Sequence, residues 1–210
     1  MSDSTILAKS VGAAPALREH YPEPSEPARK KTLARLDQYC RQFIALSPFL
    51  CLGTGGDGGL DVSPRGDPPG FVHVLDDTTL LIPDRPGNNR LDSLSNVVAS
   101  AQVGLLFMIP GVNETLRVNG TARVTTDPAL LAPLEINGKV PASALVVDVR
   151  EAFLHCAKAL VRSKLWGEEY KVDRRTLPSL GKMLADQLKS GLTAEAVDAY
   201  VEKDYATRLY

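Results

Sequence analysis

Seven short apolar segments, separated by turn-forming residues, dominate the sequence from Phe49 to Val149. Helices repeat their apolar residues every three or four positions, whereas short apolar runs bounded by Gly, Pro, Asp and Asn are typical of strands joined by hairpins. The predicted strands are 49–54, 60–63, 71–75, 79–83, 102–109, 115–125 and 144–149. This pattern predicts a mainly β protein with flanking helices, in which the strands form a barrel.

Glycines mark two special points in the predicted strands. The run 55–59, Gly-Gly-Asp-Gly-Gly, is interpreted as a hairpin tip because glycine tolerates positive φ. It lacks the lysine and the following helix of a phosphate-binding loop. Gly120 interrupts the strand 115–125 and predicts a bulge or bend there.

Helical patterns lie on both sides of the strands. Ser25, followed by Glu26 and Pro27, is a suitable N-cap, and apolar residues then recur at helical spacing, so one amphipathic helix is predicted from Ser25 to before Pro48. Further helices are predicted over 92–100, 156–166, 179–188 and 193–204. The predicted organisation is an N-terminal arm over 1–24, a barrel domain with its leading helix over 25–170 and a C-terminal helical extension over 171–210.

Composition limits the classes of function. The net charge of −1 gives no broad positive field for nucleic acid or an anionic membrane, and the longest apolar runs are too short to span a bilayer. Three cysteines without CxxC spacing and three scattered histidines predict neither a disulfide framework nor a metal site. With no signal-peptide pattern in the sequence, we expect a soluble cytoplasmic protein.

Polar residues concentrate at the ends of two predicted strands, in segments 61–67 and 82–90. In each segment an arginine, Arg65 or Arg90, closely follows apolar strand residues. We expect Asn88 and Asn89 to cap the helix that follows, with its N–H groups facing outward beside Arg90. A guanidinium donates two parallel hydrogen bonds to a phosphate, so this pattern predicts a phosphate site. The alternative is a pair of solvated arginines at strand and helix ends.

These residues resemble the pyridoxamine 5′-phosphate oxidase-like, FMN-binding split-barrel family over about residues 49–166. The resemblance depends on Arg65 after Val62-Ser63-Pro64 and on the segments 88–96, 114–120 and 153–166. The chain departs from relatives where Asn88 and Asn89 stand in place of the usual Ser and Arg, and where Arg90 replaces a lysine. One expected basic contact is therefore missing.

The resemblance implies an antiparallel Greek-key split β-barrel that acts as a homodimer, with FMN at the subunit interface and a small-molecule substrate. The implied activity is a flavin-mediated oxidation or reduction, with no catalytic residue assigned. Arg162, Lys164 and Trp166 are expected to reach the flavin of the partner chain. The implied FMN-binding residues are Val62, Ser63, Pro64, Arg65, Ile82, Pro83, Asp84, Asn88, Asn89, Arg90, Thr115, Arg117, Arg162, Lys164 and Trp166.

Two other hypotheses come from different functional classes. The flavin could be bound without turnover, as a sensor or store. Alternatively, the barrel could bind another planar ligand such as haem, with His73 or His155 as the axial candidate. Oxidation of pyridoxamine phosphate itself is not expected, because residues 207–210 differ from the Arg-Leu-x-Pro tail by which that enzyme binds its substrate.

Overall fold

One seven-stranded antiparallel sheet forms the centre of the protein. The computed structural model describes residues 14–56, 59–189 and 191–210. The strands in this part of the chain are β1 Phe49–Gly56, β2 Gly59–Gly66, β3 His73–Val74, β4 Thr79–Pro83, β5 Gln102–Met108, β6 Thr115–Thr125 and β7 Ala144–His155. Their order across the sheet is β2-β1-β5-β6-β7-β4-β3.

The strand order has a Greek-key return. β5, β6 and β7 follow one another as hairpin neighbours, and β4 then lies beside β7 instead of β5. β2 and β3 occupy the two edges, so the sheet is not closed. The predicted fold class, a mainly β split barrel with flanking helices, is confirmed.

Within residues 33–210 helices flank the sheet, and the predicted helix over 92–100 is present. Residues up to Thr32 form one unit and Leu33 to Tyr210 form another. The predicted domain boundaries at 24/25 and 170/171 stay predictions. The helices are α1 Ala14–Leu17, α2 Glu26–Lys30, α3 Gln38–Leu46, α4 Asp92–Ser100, α5 Pro128–Leu131, α6 Lys158–Ser163, α7 Leu180–Leu188 and α8 Ala194–Thr207, with 3-10 turns at Arg18–His20, Ala132–Leu134 and Arg174–Thr176.

The main core lies on one face of the sheet, and a smaller cluster that includes Leu81 and Val146 is buried apart from it. Alternate residues of β1, β5 and β6 point to this face, and Leu50, Leu52, Phe107, Leu116 and Val118 are fully buried there. Helix α3 packs on the same core through its buried residues. Each large apolar side chain buried in this way contributes roughly 1.5–3 kcal/mol.

The single helix predicted between Ser25 and Pro48 is wrong. Ser25 does cap a helix, but α2 ends at Lys30. Leu33 then pairs its backbone with Ala152 of β7, and α3 starts afresh with the Asp37 side chain accepting from a backbone N–H at its N-terminus. An extended segment on the core therefore produces apolar spacing that sequence alone cannot distinguish from a helix.

Strand bounds differ most from the prediction in β2, β3 and β7. β2 extends through Pro64 to Gly66. Proline has no backbone N–H, but β2 is an edge strand, in which not every N–H takes part in strand pairing. The strand predicted over 71–75 is paired only at His73–Val74. β7 continues to His155, so the helix predicted over 156–166 is reduced to α6.

Gly120 forms the predicted bulge. The β6–β7 register shifts between Asn119 and Gly120, and a Cβ on Gly120 would lie 2.1 Å from the backbone oxygen of Asp148. Only glycine allows this close approach. The predicted tip 55–59 includes Asp57 and Gly58, which lie outside the described residues.

A ligand cleft beside the edge strand

A cleft of about 840 Å³ opens beside β2. Its walls are the end of β2, the β4–α4 loop (residues 84–91), the first turn of α4, residues 139–142 and Tyr210. This volume lies in the range of roughly 300–1,000 Å³ that is usual for small-molecule sites. The predicted site residues that line the cleft are Ser63, Pro64, Arg65, Pro83, Asp84, Asn88, Asn89 and Arg90.

The other predicted site residues do not line this cleft. Ile82 and Thr115 are buried in the sheet, and Val62 is 73% exposed on the opposite side of β2. Arg117 lies over the ring of Phe153, 4.1 Å from its centroid, and forms an ion pair with Glu151. The remaining three residues, Arg162, Lys164 and Trp166, lie on or after α6.

The alternation of β2 aims polar side chains at the cleft. Ser63 and Arg65 are paired with Leu52 and Leu50 of β1, whose side chains enter the core. Directly opposite residues point to the same side of a sheet, so Ser63 and Arg65 share the core-side face. Because β2 is an edge strand, this face meets the cleft at the end of the core.

Arg65 is anchored in the cleft wall. Its Nη1 donates to Asp84 Oδ1 at 2.7 Å, and the two side chains are only 20% and 23% exposed. Its Nε is buried and has no acceptor among the described residues. A buried donor without an acceptor costs about 1–3 kcal/mol, so this guanidinium is suited to an additional anionic partner.

Arg90 lies at the exposed end of the β4–α4 loop, where its Nε pairs with Asp92 Oδ2 at 2.7 Å. The hydrogen bond to Asp92 holds the pKa of Arg90 above its ordinary value. The predicted capping by Asn88 and Asn89 is wrong, because Leu91 is the N-cap of α4 and makes no side-chain cap. Asn88 instead accepts from the Arg90 N–H, as is common for Asn in turns.

A buried carboxylate ties three segments together at one end of the cleft. The Asp67 side chain, only 1% exposed, accepts from Arg85 Nε at 2.6 Å and from the Tyr210 hydroxyl at 2.7 Å. The hydrogen bond to Asp67 raises the pKa of Tyr210. Lys139 Nζ also donates to the backbone oxygen of Tyr210 at 2.6 Å. The sequence pattern gave no signal for this contact, since Tyr210 lies far from Asp67 in the chain.

A second polar cluster was also missed by the sequence prediction. The Ser93 hydroxyl donates to Asp61 Oδ2 at 2.6 Å and lies 3.0 Å from the Ser63 hydroxyl. Ser93 is 3% exposed and belongs to the first turn of α4. A helix pattern in which a polar residue faces the adjacent strand could have indicated it.

The charges around the cleft favour an anion. Among the described residues that line it, the basic side chains are Arg65, Arg85, Arg90 and Lys139, and the acidic ones are Asp61, Asp84 and Asp92. Each arginine has donors beyond those used by its carboxylate partner. The arginine donors left free by these ion pairs can therefore bind an anion, although Asp67 behind Arg85 balances the formal charge of the lining.

Trp166 lies in a smaller cavity of its own chain. Its Nε1 donates to the Val112 backbone oxygen at 2.8 Å, and Lys164 forms an ion pair with Glu169 beside it.

His73 on β3 and His155 on β7 are not among the cleft residues. No group of three potential metal-binding side chains occurs in the residues that the structure describes.

Residues 36–156 match the family model described as Pyridoxamine 5′-phosphate oxidase, which covers more than half of the chain. The chain belongs to the pyridoxamine 5′-phosphate oxidase family. The family region contains all seven strands and every wall of the cleft except Tyr210. No curated protein sequence matches this chain.

Several solved structures are similar to this chain at low sequence identity. HupZ of Group A Streptococcus is 16% identical, covering 57% of this chain and 93% of its own, with a TM-score of 0.47. A Clostridium acetobutylicum protein related to general stress protein 26 is 14% identical, covering 54% and 83%, with a TM-score of 0.41. An FMN-binding protein from Syntrophomonas wolfei is 13% identical, covering 55% and 83%, with a TM-score of 0.41.

In the described part of the chain, no helix combines the length and apolar character needed to cross a membrane.

Proposed function

We propose that this protein binds FMN in the cleft and uses it to oxidise or reduce a small molecule. The observation that carries the proposal is the presence of Arg65 and Arg90, from separate segments, in the walls of one cleft. A phosphomonoester needs several donors from different directions, and arginine supplies them with charge assistance. Family membership and an FMN-binding protein among the structures of similar fold support the choice of ligand.

The residues present suit a flavin phosphate. Arg65 has a buried Nε with no acceptor in the part of the chain that the structure describes, and its ion pair with Asp84 fixes the guanidinium in the wall. Arg90 is exposed and can turn toward a ligand. Pro83, Pro141 and Phe71 add apolar surface to the same walls, which an aromatic ring system requires.

Bound FMN would supply two-electron redox chemistry, and the protein would supply binding and orientation. Arg65 and Arg90 would hold the phosphate at the start of α4. The ion pairs of Asp84 and Asp67 would keep the β4–α4 loop in place and exclude water from the ligand. Substrate would enter from the open side of the cleft.

Removal of the two arginines tests the site. We expect Arg65→Ala to weaken FMN binding by about 10- to 100-fold, the range for one charge-assisted contact, and Arg65→Ala/Arg90→Ala to weaken it further. The measurement is a titration followed by flavin fluorescence. Arg123→Ala is the matched control, because Arg123 on β6 pairs with Asp148 on β7, and neither residue lines the cleft. Equal affinity for wild type and the double variant would refute the phosphate assignment.

Turnover distinguishes an enzyme from a flavin store. We expect the FMN-loaded protein to lose its flavin absorption when NADH or NADPH is added and to regain it in air. A flavin that stays oxidised with both donors would favour the sensor or store hypothesis.

We also propose a homodimer with FMN at the subunit interface. Leu60 and Val62 of β2 are 91% and 73% exposed on the side of the sheet opposite the core. Cys51, Leu106 and Arg117 are half-buried on the same side, in a row with Pro64 across β2, β1, β5 and β6. Such a face, apolar and only partly covered, suits a second copy of the chain.

Light scattering tests the dimer. The wild type should have the mass of two chains, and Val62→Asp should shift it toward the mass of one chain because a charge would enter the interface. Arg162, Lys164 and Trp166 would then contribute to the flavin site of the partner. A wild-type protein with the mass of a single chain would refute this proposal.

A further inference from the structure

A chain of three hydrogen-bonded side chains crosses from β2 to α4 along the cleft. Asp61 Oδ2 accepts from the Ser93 hydroxyl at 2.6 Å, and the oxygens of Ser93 and Ser63 are 3.0 Å apart. All three residues line the cleft; Ser93 is buried, whereas Asp61 and Ser63 are half-buried. The three groups therefore form a fixed path from a carboxylate to a hydroxyl in the cleft wall.

The donor direction along this path follows from proton counting. An Asp61 carboxylate can only accept, so the single hydroxyl hydrogen of Ser93 is used on Asp61. The Ser93 oxygen must then accept from Ser63, which uses the single hydrogen of Ser63. In the described part of the chain the Ser63 hydroxyl has no other hydrogen-bond partner, and it faces the cleft with lone pairs only.

We infer that the Asp61–Ser93–Ser63 path fixes Ser63 as a hydrogen-bond acceptor for a donor on the flavin. This inference rests on the proposed function. A flavin phosphate carries acceptors at its phosphate and donors at ring N3 and at the ribityl hydroxyls. The Ser63 oxygen accepts a hydrogen bond from a flavin donor and disfavours the phosphate, whereas Arg65 attracts the phosphate. These two β2 residues therefore orient the ligand along the cleft.

Three flavins separate the possible donors. FMN, FMN methylated at ring N3 and a flavin with a phosphopentyl chain in place of ribityl phosphate are each titrated against the wild type and Ser63→Ala. We expect Ser63→Ala to weaken FMN binding by about 2- to 10-fold, the range for one neutral hydrogen bond. The substitution should have no effect on whichever analogue lacks the donor, which assigns that donor to the ring or to the ribityl chain.

Ser93→Ala tests whether Ser93 acts through Ser63. It frees the Ser63 hydrogen, so FMN binding should weaken, and the double variant should bind FMN no more weakly than Ser63→Ala alone. Ser95→Ala, on an exposed position of the same helix, is the control and should bind FMN as the wild type does.

The outcomes separate the two proposals. Equal weakening of all three flavins by Ser63→Ala, or FMN affinity unchanged by that substitution, would overturn the role of Ser63 while leaving FMN binding intact. A wild type that binds none of the three flavins would overturn the proposed function itself.

Discussion

The β6–β7 hairpin and the β4–α4 loop are shaped by different interactions. The hairpin is a long ladder, interrupted by the one bulge at Gly120, whose inward residues, such as Leu116, Val118 and Val147, are fully buried. The loop contains no strand or helix, has Asn89 and Leu91 at positive φ, and is connected to β2 by ion pairs. Apolar burial therefore determines the fold, while charge pairs determine the cleft, and substitutions in one region should largely spare the other.

The largest effect on stability is expected inside the sheet. Phe107→Ala removes a fully buried ring from β5, and such truncations cost about 3–5 kcal/mol of unfolding free energy. Denaturant titration measures this loss. Leu106→Ala, on the neighbouring half-buried position, should cost less. If the two variants lost equal stability, burial would not be the force that holds the sheet.

Gly120→Ala tests the backbone contact in the hairpin. The added Cβ meets the Asp148 backbone oxygen at 2.1 Å, which forces β6 and β7 apart, and we expect a loss of about 1–3 kcal/mol. Gly53→Ala is the control, because its Cβ would lie at an ordinary 3.6 Å from the nearest atom. A lower midpoint temperature of thermal unfolding for Gly53→Ala than for Gly120→Ala would contradict the bulge geometry.

Tyr210→Phe tests the polar contacts that hold the cleft together and should have the smallest effect on the unfolding free energy. Loss of its hydrogen bond to Asp67 should cost about 1 kcal/mol, because the group is only half-buried. The hydrogen bond needs the protonated phenol, and its folded pKa is raised. The difference in unfolding free energy between the wild type and Tyr210→Phe should therefore be fully present below about pH 10. It should vanish as the pH rises through the folded pKa of Tyr210.

Unfolding measured across this pH range compares Tyr210→Phe with Tyr205→Phe. Tyr205 is 62% exposed, so its variant should match the wild type at every pH. A Tyr210→Phe deficit that persisted above the folded pKa would contradict a stabilising hydrogen bond from the protonated phenol to Asp67.

Most of the sheet could be predicted because strand burial imposes a period of two on the sequence. β4 and β6 have the predicted bounds, and the glycine bulge is where the pattern placed it. The helix from Ser25 failed because an extended segment and a helix can both place apolar residues on a core at similar spacing. β7 was predicted too short, because its second half, from Arg150, alternates less clearly.

The cleft was only half predictable. Arg65 and Asp84 lie where the local pattern and the family resemblance indicated, in one cleft wall. Asp67 and Tyr210 carry no local signal, because their contact joins segments that are distant in sequence. Ser93 has only the weak signal of a polar residue on the inner face of a helix. The caps expected from Asn88 and Asn89 failed because a left-handed turn precedes α4.

The most direct test of the account is the identity of the small molecule that the protein holds. The protein is purified with FMN supplied, freed of unbound ligand and denatured, and the released molecule is identified by its absorption spectrum and mass. The account predicts FMN in an amount equal to the protein chain. Release of no flavin, or of haem in its place, would contradict it.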